Sequence, residues 1–270
     1  MTESTNPFLD ERRRDALYGD ASRLTQRTAA LHSAKFEGEP VASVIAGFGQ
    51  VGPGHLLDVG CGRGGTTAHL ARRWWPRRVT ALDASPALLA EARRRVCDNV
   101  PDGEARVGFV AADFHDIPLP DDDCDVVVAA FCLYHSPAPE TVLAEFRRCL
   151  RPGGRAILVT KSADSYATLD ELAAASGLAP DARSRSSLYD SFHSGNAESV
   201  VSEELRVQAV RHDRHRFQFA DADHLAAYLA TNPRYSHHAP ESLAERFTFV
   251  LNGHGVTTES TVTYVVASAT

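Results

Sequence analysis

The sequence predicts an α/β fold of the doubly wound type with a mostly parallel sheet, and three observations carry that expectation. Strand-like and helix-like segments alternate between about residues 55 and 161, the rhythm of βαβ units. The segments Val126-Val127-Val128 and Ala156-Ile157-Leu158-Val159 are apolar at every position, as strands covered on both faces must be. A glycine-rich turn, Gly60 to Gly65, joins the first of these strands to a helix.

In chain order, residues 1–10 read as a loose polar tail, and 11–49 as two helical stretches with Leu17, Leu24 and Leu31, then Val41, Val44, Ile45 and Phe48, as apolar positions. Val51-Gly52-Pro53-Gly54 breaks the chain. Strands follow at 55–59, 79–83, 106–111, 124–131 and 155–161, with helices at 65–75, 86–97 and 138–149. Ser85-Pro86 supplies a cap followed by proline at the first helical position, and Arg151-Pro152-Gly153-Gly154 stops a helix. From Ser162 to about Val201 the pattern loosens around one short helix at 166–176 and reads as an insertion or lid. A strand at 206–219, helices at 221–231 and 240–252, and a β-branched strand from Ser260 to Val266 complete the chain.

Composition bounds the function. Of the 270 residues, 43% are hydrophobic and 23% charged, the balance of a globular protein, and the formal charge of −7 lacks the positive field that nucleic acid requires. Arg12-Arg13-Arg14, Arg72-Arg73 with Arg77-Arg78, and Arg93-Arg94-Arg95 read as solvated helix faces. Lysine occurs only at 35 and 161, which reads as compositional bias rather than chemistry. Cysteines at 61, 97, 124, 132 and 149 form no C-x-x-C pair, so a reducing cytoplasm is expected. Neither a secretory leader nor a run of about 18 apolar residues is evident, and no membrane partner is expected. His237-His238, His212 and His215 lack carboxylates in ligand spacing and are expected to bind no metal.

Gly60, Gly62 and Gly65 satisfy G-x-G-x-x-G, with Asp83 at the end of the next strand, so the loop suits a dinucleotide such as NAD as well as S-adenosylmethionine. Asp58 separates the two. Two residues before Gly60 it places a carboxylate where a pyrophosphate would be repelled, whereas the ammonium and sulfonium of S-adenosylmethionine would be attracted. The glycines then let the backbone pass close to the ligand. Asp83 can accept both ribose hydroxyls in either case, Asp113 is placed to accept the adenine amine, and Phe114 to pack on the ring.

The series Asp58-Val-Gly60-Cys-Gly62-Arg-Gly64, Asp83-Ala84-Ser85, Ala112-Asp113, Asp125-Val126-Val127 and Leu150-Arg-Pro-Gly-Gly154 resembles the class I S-adenosylmethionine-dependent methyltransferases over about residues 50–161. Leu133-Tyr134-His135 after the fourth strand is similar to the small-molecule, ubiquinone/menaquinone-like branch, although Ala129-Ala130-Phe131-Cys132 stands where that branch often has a polar residue. The resemblance implies a Rossmann-like, seven-stranded sheet with an antiparallel last strand. It implies S-adenosyl-L-methionine as cofactor, a small-molecule acceptor methylated on O, N or C, a place in secondary metabolism, no catalytic metal, and a monomer or homodimer. It divides the chain into a tail and helical cover (1–49), a cofactor-binding core (50–161), an insertion or lid (162–205) and a completion of the sheet (206–270).

The residues expected at the cofactor are Tyr18, Asp58, Gly60, Cys61 by its backbone, Gly62, Asp83, Ala84, Ser85, Asp113, Phe114 and Phe131. Methyl transfer is an in-line displacement that depends on positioning, with a base only where the acceptor must lose a proton. His135 is the candidate base, and equally a helix cap or cofactor-orienting group; Tyr134 faces either the acceptor or the core. His32 is expected at the surface. Tyr189, Phe192, His193 and Tyr235 are candidates for the acceptor pocket, because loops over a sheet edge carry specificity. A repurposed member that binds cofactor without methyl transfer, and an NAD(P)-dependent oxidoreductase, are the alternatives.

Overall fold

A computed structural model describes residues 6–49 and 54–269. The amino-terminal part forms α1 (Glu11–Tyr18), α2 (Ala21–Ala34), β1 (Lys35–Glu37) and α3 (Val41–Gly47). The alternating core follows as β2 (His55–Val59), α4 (Gly65–Trp74), β3 (Arg78–Asp83), α5 (Pro86–Asn99), α6 (Gly103–Arg106), β4 (Val107–Ala111), β5 (Cys124–Ala130), α7 (Pro139–Cys149) and β6 (Leu150–Lys161). The remainder is α8 (Ala167–Ala175), α9 (Ala197–Ser202), β7 (Arg206–Phe219), α10 (Ala222–Leu229), α11 (Pro240–Leu251) and β8 (Val256–Ser268).

The strands make one sheet in the order β1-β7-β8-β6-β5-β2-β3-β4. The pairs from β6 through β5, β2 and β3 to β4 are parallel; β8 is antiparallel to both β6 and β7. The chain runs outward from β2 to β4, then returns to β5 on the other side of β2. The gap between β2 and β5 is therefore the switch point where open α/β sheets take ligands at the carboxyl ends of their strands.

Strand side chains alternate between faces, and the apolar runs serve two cores. Leu57, Val59, Val127, Ala129 and Leu158 join Val142, Leu143 and Phe146 of α7 on one face. Leu56, Val126, Val128, Ile157 and Val159 join α3, α4 and α5 on the other. A third core unites Phe217 and Phe219 of β7 with Leu169 of α8, Leu225, Tyr228 and Leu229 of α10, and Leu243 and Phe247 of α11. α2 packs against this unit through α10 and β7 and against α5, so it bridges the helical cover and the sheet.

Local chemistry sets the element ends. Ser85 Oγ accepts the Leu88 amide at 3.2 Å and Pro86 opens α5, while Asp221 accepts the His224 amide at 2.8 Å to cap α10. Four expectations differ. The sheet has eight strands rather than seven, because Lys35–Glu37 pairs with the outer edge of β7; three residues are too few for a periodicity signal. Residues 11–49 hold three helices and that strand, not two helical stretches. β6 starts at Leu150, ahead of the glycines, since Leu150 already pairs with Cys124. Of the polar tail, Asn6 and Phe8 are buried, Phe8 against Tyr134, His135 and Tyr189. Residues 1–5 and the break at Val51-Gly52-Pro53 lie outside the described residues.

Asp125, at the start of β5, ties the amino ends of two strands together: its carboxylate accepts the buried His55 amide at 2.6 Å. A Cβ on Gly54 would collide with the same carboxylate. Asp125→Ala is expected to lower stability by about 1–3 kcal/mol, the cost of a stranded buried donor, read as a lower urea midpoint at unchanged slope.

Candidate functional site

The glycine turn is built from Gly60, Gly62 and Gly64, with φ of 62°, 53° and 74°. This left-handed conformation favours glycine. At Gly60 an added Cβ would meet Cys132 Cβ at 2.5 Å, and at Gly64 the Ala92 Cα at 2.8 Å. Gly65 begins α4, and an added Cβ there would make only an ordinary contact with Arg95 at 3.6 Å. The spacing the backbone needs is thus G-x-G-x-G, not the G-x-G-x-x-G read from the sequence. Sequence spacing cannot show which glycine has positive φ.

Two carboxylates bracket the turn. Asp58, 1% exposed near the carboxyl end of β2, accepts a hydrogen bond from Thr67 Oγ1 at 2.5 Å. Burial pushes it up to about 7, Thr67 opposes the shift, and the charge of Asp83 adds to it. Asp83, half-buried at the end of β3, accepts the Gly62 amide at 2.8 Å and the Ser85 amide at 2.9 Å. Burial raises it, and those two amides offset part of the rise. Cys61 donates its amide to Leu82 at 3.0 Å, and burial pushes its thiol up, away from reactivity. Ala84 is exposed beside Ser85, whose Oγ donates to the Tyr18 carbonyl at 2.7 Å.

Beyond β4, Asp113 is exposed and Phe114 half-buried. Asp113 Oδ1 lies 2.6 Å from His115 Nδ1, and His115 Nε2 lies 2.8 Å from Ser136 Oγ. His115 was not among the sequence candidates. The carboxylate, imidazole and hydroxyl have the order of a nucleophilic triad, but Ser136 is fully buried and accepts the Ala138 amide ahead of α7. Its oxygen closes the turn that leads into α7.

Phe131 follows β5 with φ of 60°, a conformation that costs a side-chain-bearing residue of order 1–3 kcal/mol and is retained where the surroundings fix it. Next to it, Tyr134 stacks on Phe8 at 5.6 Å and meets Tyr189 edge-on at 4.9 Å. Burial raises its hydroxyl well above the ordinary range, and it belongs to the core. His135 packs edge-on against Phe8 at 4.4 Å and Tyr18 at 5.4 Å, with Nε2 3.2 Å from Tyr18 Oη. His32 is exposed.

The expected pocket residues part company. Tyr189 faces Lys161, 5.8 Å from its ring. Phe192 is buried in the core, His193 accepts the Gly195 amide beside α9, and Tyr235 is buried in the third core with its hydroxyl toward Asp170. What sequence reading missed is the pair Arg27 and Lys161. Lys161 donates to Tyr166 Oη at 2.9 Å and faces the rings of Phe131 and Tyr166; Arg27 donates to Tyr228 Oη at 3.2 Å. The signal available was the isolation of Lys161 as one of two lysines.

Among the described residues, one trio, His55, Asp123 and Cys124, has metal-ligand spacing. It sits at the amino ends of β2 and β5, away from the glycine turn, and Arg78 Nη2 lies 2.8 Å from His55 Nδ1. That guanidinium supplies the positive charge there. Burial and Arg78 together hold His55 below its usual range.

With this geometry in place, residues 57–158 match the family described as a methyltransferase domain. The chain carries a methyltransferase domain. It is 36% identical over 121 residues to the ubiquinone/menaquinone biosynthesis C-methyltransferase UbiE of Methylobacterium nodulans, covering 44% of the chain and 47% of that relative. It is 31% identical over 154 residues to the malonyl-[acyl-carrier protein] O-methyltransferase of Serratia marcescens, covering 56% of each. The chain thus spans about half the length of these curated relatives. A Bacillus halodurans C-125 protein proposed to be a methyltransferase superposes with a TM-score of 0.61 at 20% identity, over 86% of this chain and 99% of that one. The methyltransferase domain and its Rossmann-like sheet agree with the resemblance read from the motifs.

Two outcomes follow for the methyltransferase domain. Gly64→Ala is expected to cost about 1–3 kcal/mol while Gly65→Ala stays near neutral, as paired urea melts would show; equal effects would contradict the G-x-G-x-G assignment. Asp58 has a folded-state value, about 7, above the ordinary 3.8. The unfolded chain therefore ionises there first, and stability is lost as pH rises through that window. Asp58→Asn is expected to gain about 2–3 kcal/mol relative to the parent between pH 5 and 8, read as the pH dependence of the stability difference.

Proposed function

We propose that the chain is an S-adenosylmethionine-dependent methyltransferase acting on a small-molecule O, N or C nucleophile. The observation that carries this reading is the G-x-G-x-G turn at the switch point, set between the buried Asp58 and the half-buried Asp83 carboxylates. A cationic nucleotide gains from those carboxylates and a pyrophosphate would be repelled by them, which disfavours NAD(P). The residues fit such a cofactor: the side-chain-free backbone at Gly60 and Gly62 admits close approach, Asp83 offers lone pairs for ribose hydroxyls, Asp58 and Asp83 offer negative charge for the ammonium and sulfonium, and Asp113 with Phe114 suits adenine. When bound, the group supplies a methyl carbon already activated by the sulfonium.

The remaining work is positioning. The Tyr18–His135 pair is the polar feature among the rings of Phe8, Tyr134 and Tyr18, and His135 is offered as the proton acceptor for an acceptor hydroxyl or amine. The rings on either side hold the half-buried imidazole in place.

S-adenosylhomocysteine at about 1 mM is expected to raise the melting temperature by several degrees through mass action. A flat response, with no cofactor carried through purification, would sink the reading. His135→Gln is expected to keep that response and to lower turnover of a cognate acceptor by about 10²–10⁴-fold; full activity in the variant would remove the proton-acceptor role.

A further inference from the structure

Arg27 of α2 and Lys161 at the end of β6 meet the same cluster of aromatic rings: Lys161 reaches Tyr166, and Arg27 lies over the neighbouring Tyr228. The groups that act on the charge of Arg27 are Tyr228, Tyr189, Tyr166 and Tyr18; those acting on Lys161 are Tyr189 and Arg27 itself. Neither cation has a carboxylate within ion-pair distance among the described residues, and Arg27 Nη1 is shut off from solvent without a hydrogen-bond partner. Phenol hydroxyls and ring faces take part of the donors, but they carry no negative charge. Two half-buried cations on one aromatic cluster without a counter-charge are costly to retain. Burial, with the Arg27 charge behind it, holds Lys161 below the usual lysine range, the state an arriving anion would relieve.

The pair sits where an acceptor would meet the glycine turn. Phe131, which Lys161 faces at 5.2 Å, follows the carboxyl end of β5, and Gly60 packs on the neighbouring Cys132. Tyr166 links the two cations, donated to by Lys161 and 6.0 Å from the Tyr228 ring that lies under Arg27. We propose that the methyl acceptor is a largely apolar or aromatic molecule carrying an oxyanion, a carboxylate or phosphate, that Arg27 and Lys161 hold between them. This rests on the methyltransferase reading and names the substrate class of that site. Arginine provides the planar fork for two oxyanion oxygens, and lysine a compact charge on the same group.

The test is calorimetric titration of the full chain, with and without S-adenosylhomocysteine, using benzoate, phenyl phosphate and neutral benzamide as probes. At least one anionic probe is expected to bind about tenfold or more tighter than benzamide, and the tighter of the two identifies carboxylate or phosphate. Arg27→Met and Lys161→Met are each expected to lose about tenfold or more of that affinity while keeping their affinity for S-adenosylhomocysteine. Arg27→Lys, which keeps the charge, retains the preference for anions at weaker affinity and guards against a misfolded methionine variant. The inference is overturned if benzamide binds as well as the anions, if neither anion binds at about 10 mM, or if the folded methionine variants keep their anion affinity. Anion binding without any S-adenosylhomocysteine binding would instead count against the methyltransferase reading alone.

Discussion

Two acidic side chains at the carboxyl ends of adjacent parallel strands, with a left-handed glycine turn between them, are the constraint around which this molecule is organised. Asp58 is enclosed against Thr67, and Asp83 holds the Gly62 and Ser85 amides, so the turn cannot relax without exposing one carboxylate or stranding the donors of the other. The charge of Asp83 adds to the resistance of Asp58 to ionisation. Such a site is poorly satisfied by itself and suits a ligand of positive charge. The parallel sheet matters because its register, with Asp58 beside Ala81 and Val128, brings the ends of β2, β3 and β5 to one edge.

The rest of the fold encloses that edge. Leu24 of α2 comes within 3.9 Å of the position a Cβ on Gly62 would take, and the Tyr18 carbonyl accepts the Ser85 hydroxyl. The amino-terminal helices therefore touch the turn directly, and any ligand entering it must share space with them. On the far side, the third core fixes Tyr166 and Tyr228, and with them the surroundings of Arg27 and Lys161. On the proposed function, the sheet supplies the cofactor side of the site, and the helical cover together with the end of β6 supplies the acceptor side.

How far the sequence revealed this depended on whether the cause was local. Asp58, Asp83 and the glycines stand within one strand-turn-helix unit or its neighbour, and hydrophobic period and caps mark β2 to β6 well. The choice between Gly64 and Gly65 needed backbone angles. Phe8 looked like part of a tail because its partners, Tyr134 and Tyr189, are more than a hundred residues away. Lys161 read as compositional bias and Arg27 drew no notice for the same reason: their significance lies in meeting one cluster of rings, Tyr166 and Tyr228, across long sequence separation. Tyr235 and Phe192 drew attention as aromatics in loosely patterned segments, yet an aromatic side chain there serves a core as readily as a pocket.

The claim that the two carboxylates select a nucleotide bearing an ammonium has a direct measure: the protons released when S-adenosylhomocysteine binds at about pH 6.5, from titrations in buffers of different ionisation enthalpy. Asp58, raised to about 7, is mostly protonated in the free chain at that pH and ionises when the ligand's ammonium arrives. The account predicts release of about half a proton or more, lost in Asp58→Asn. Binding with no proton release, or with the same release in the variant, would contradict it.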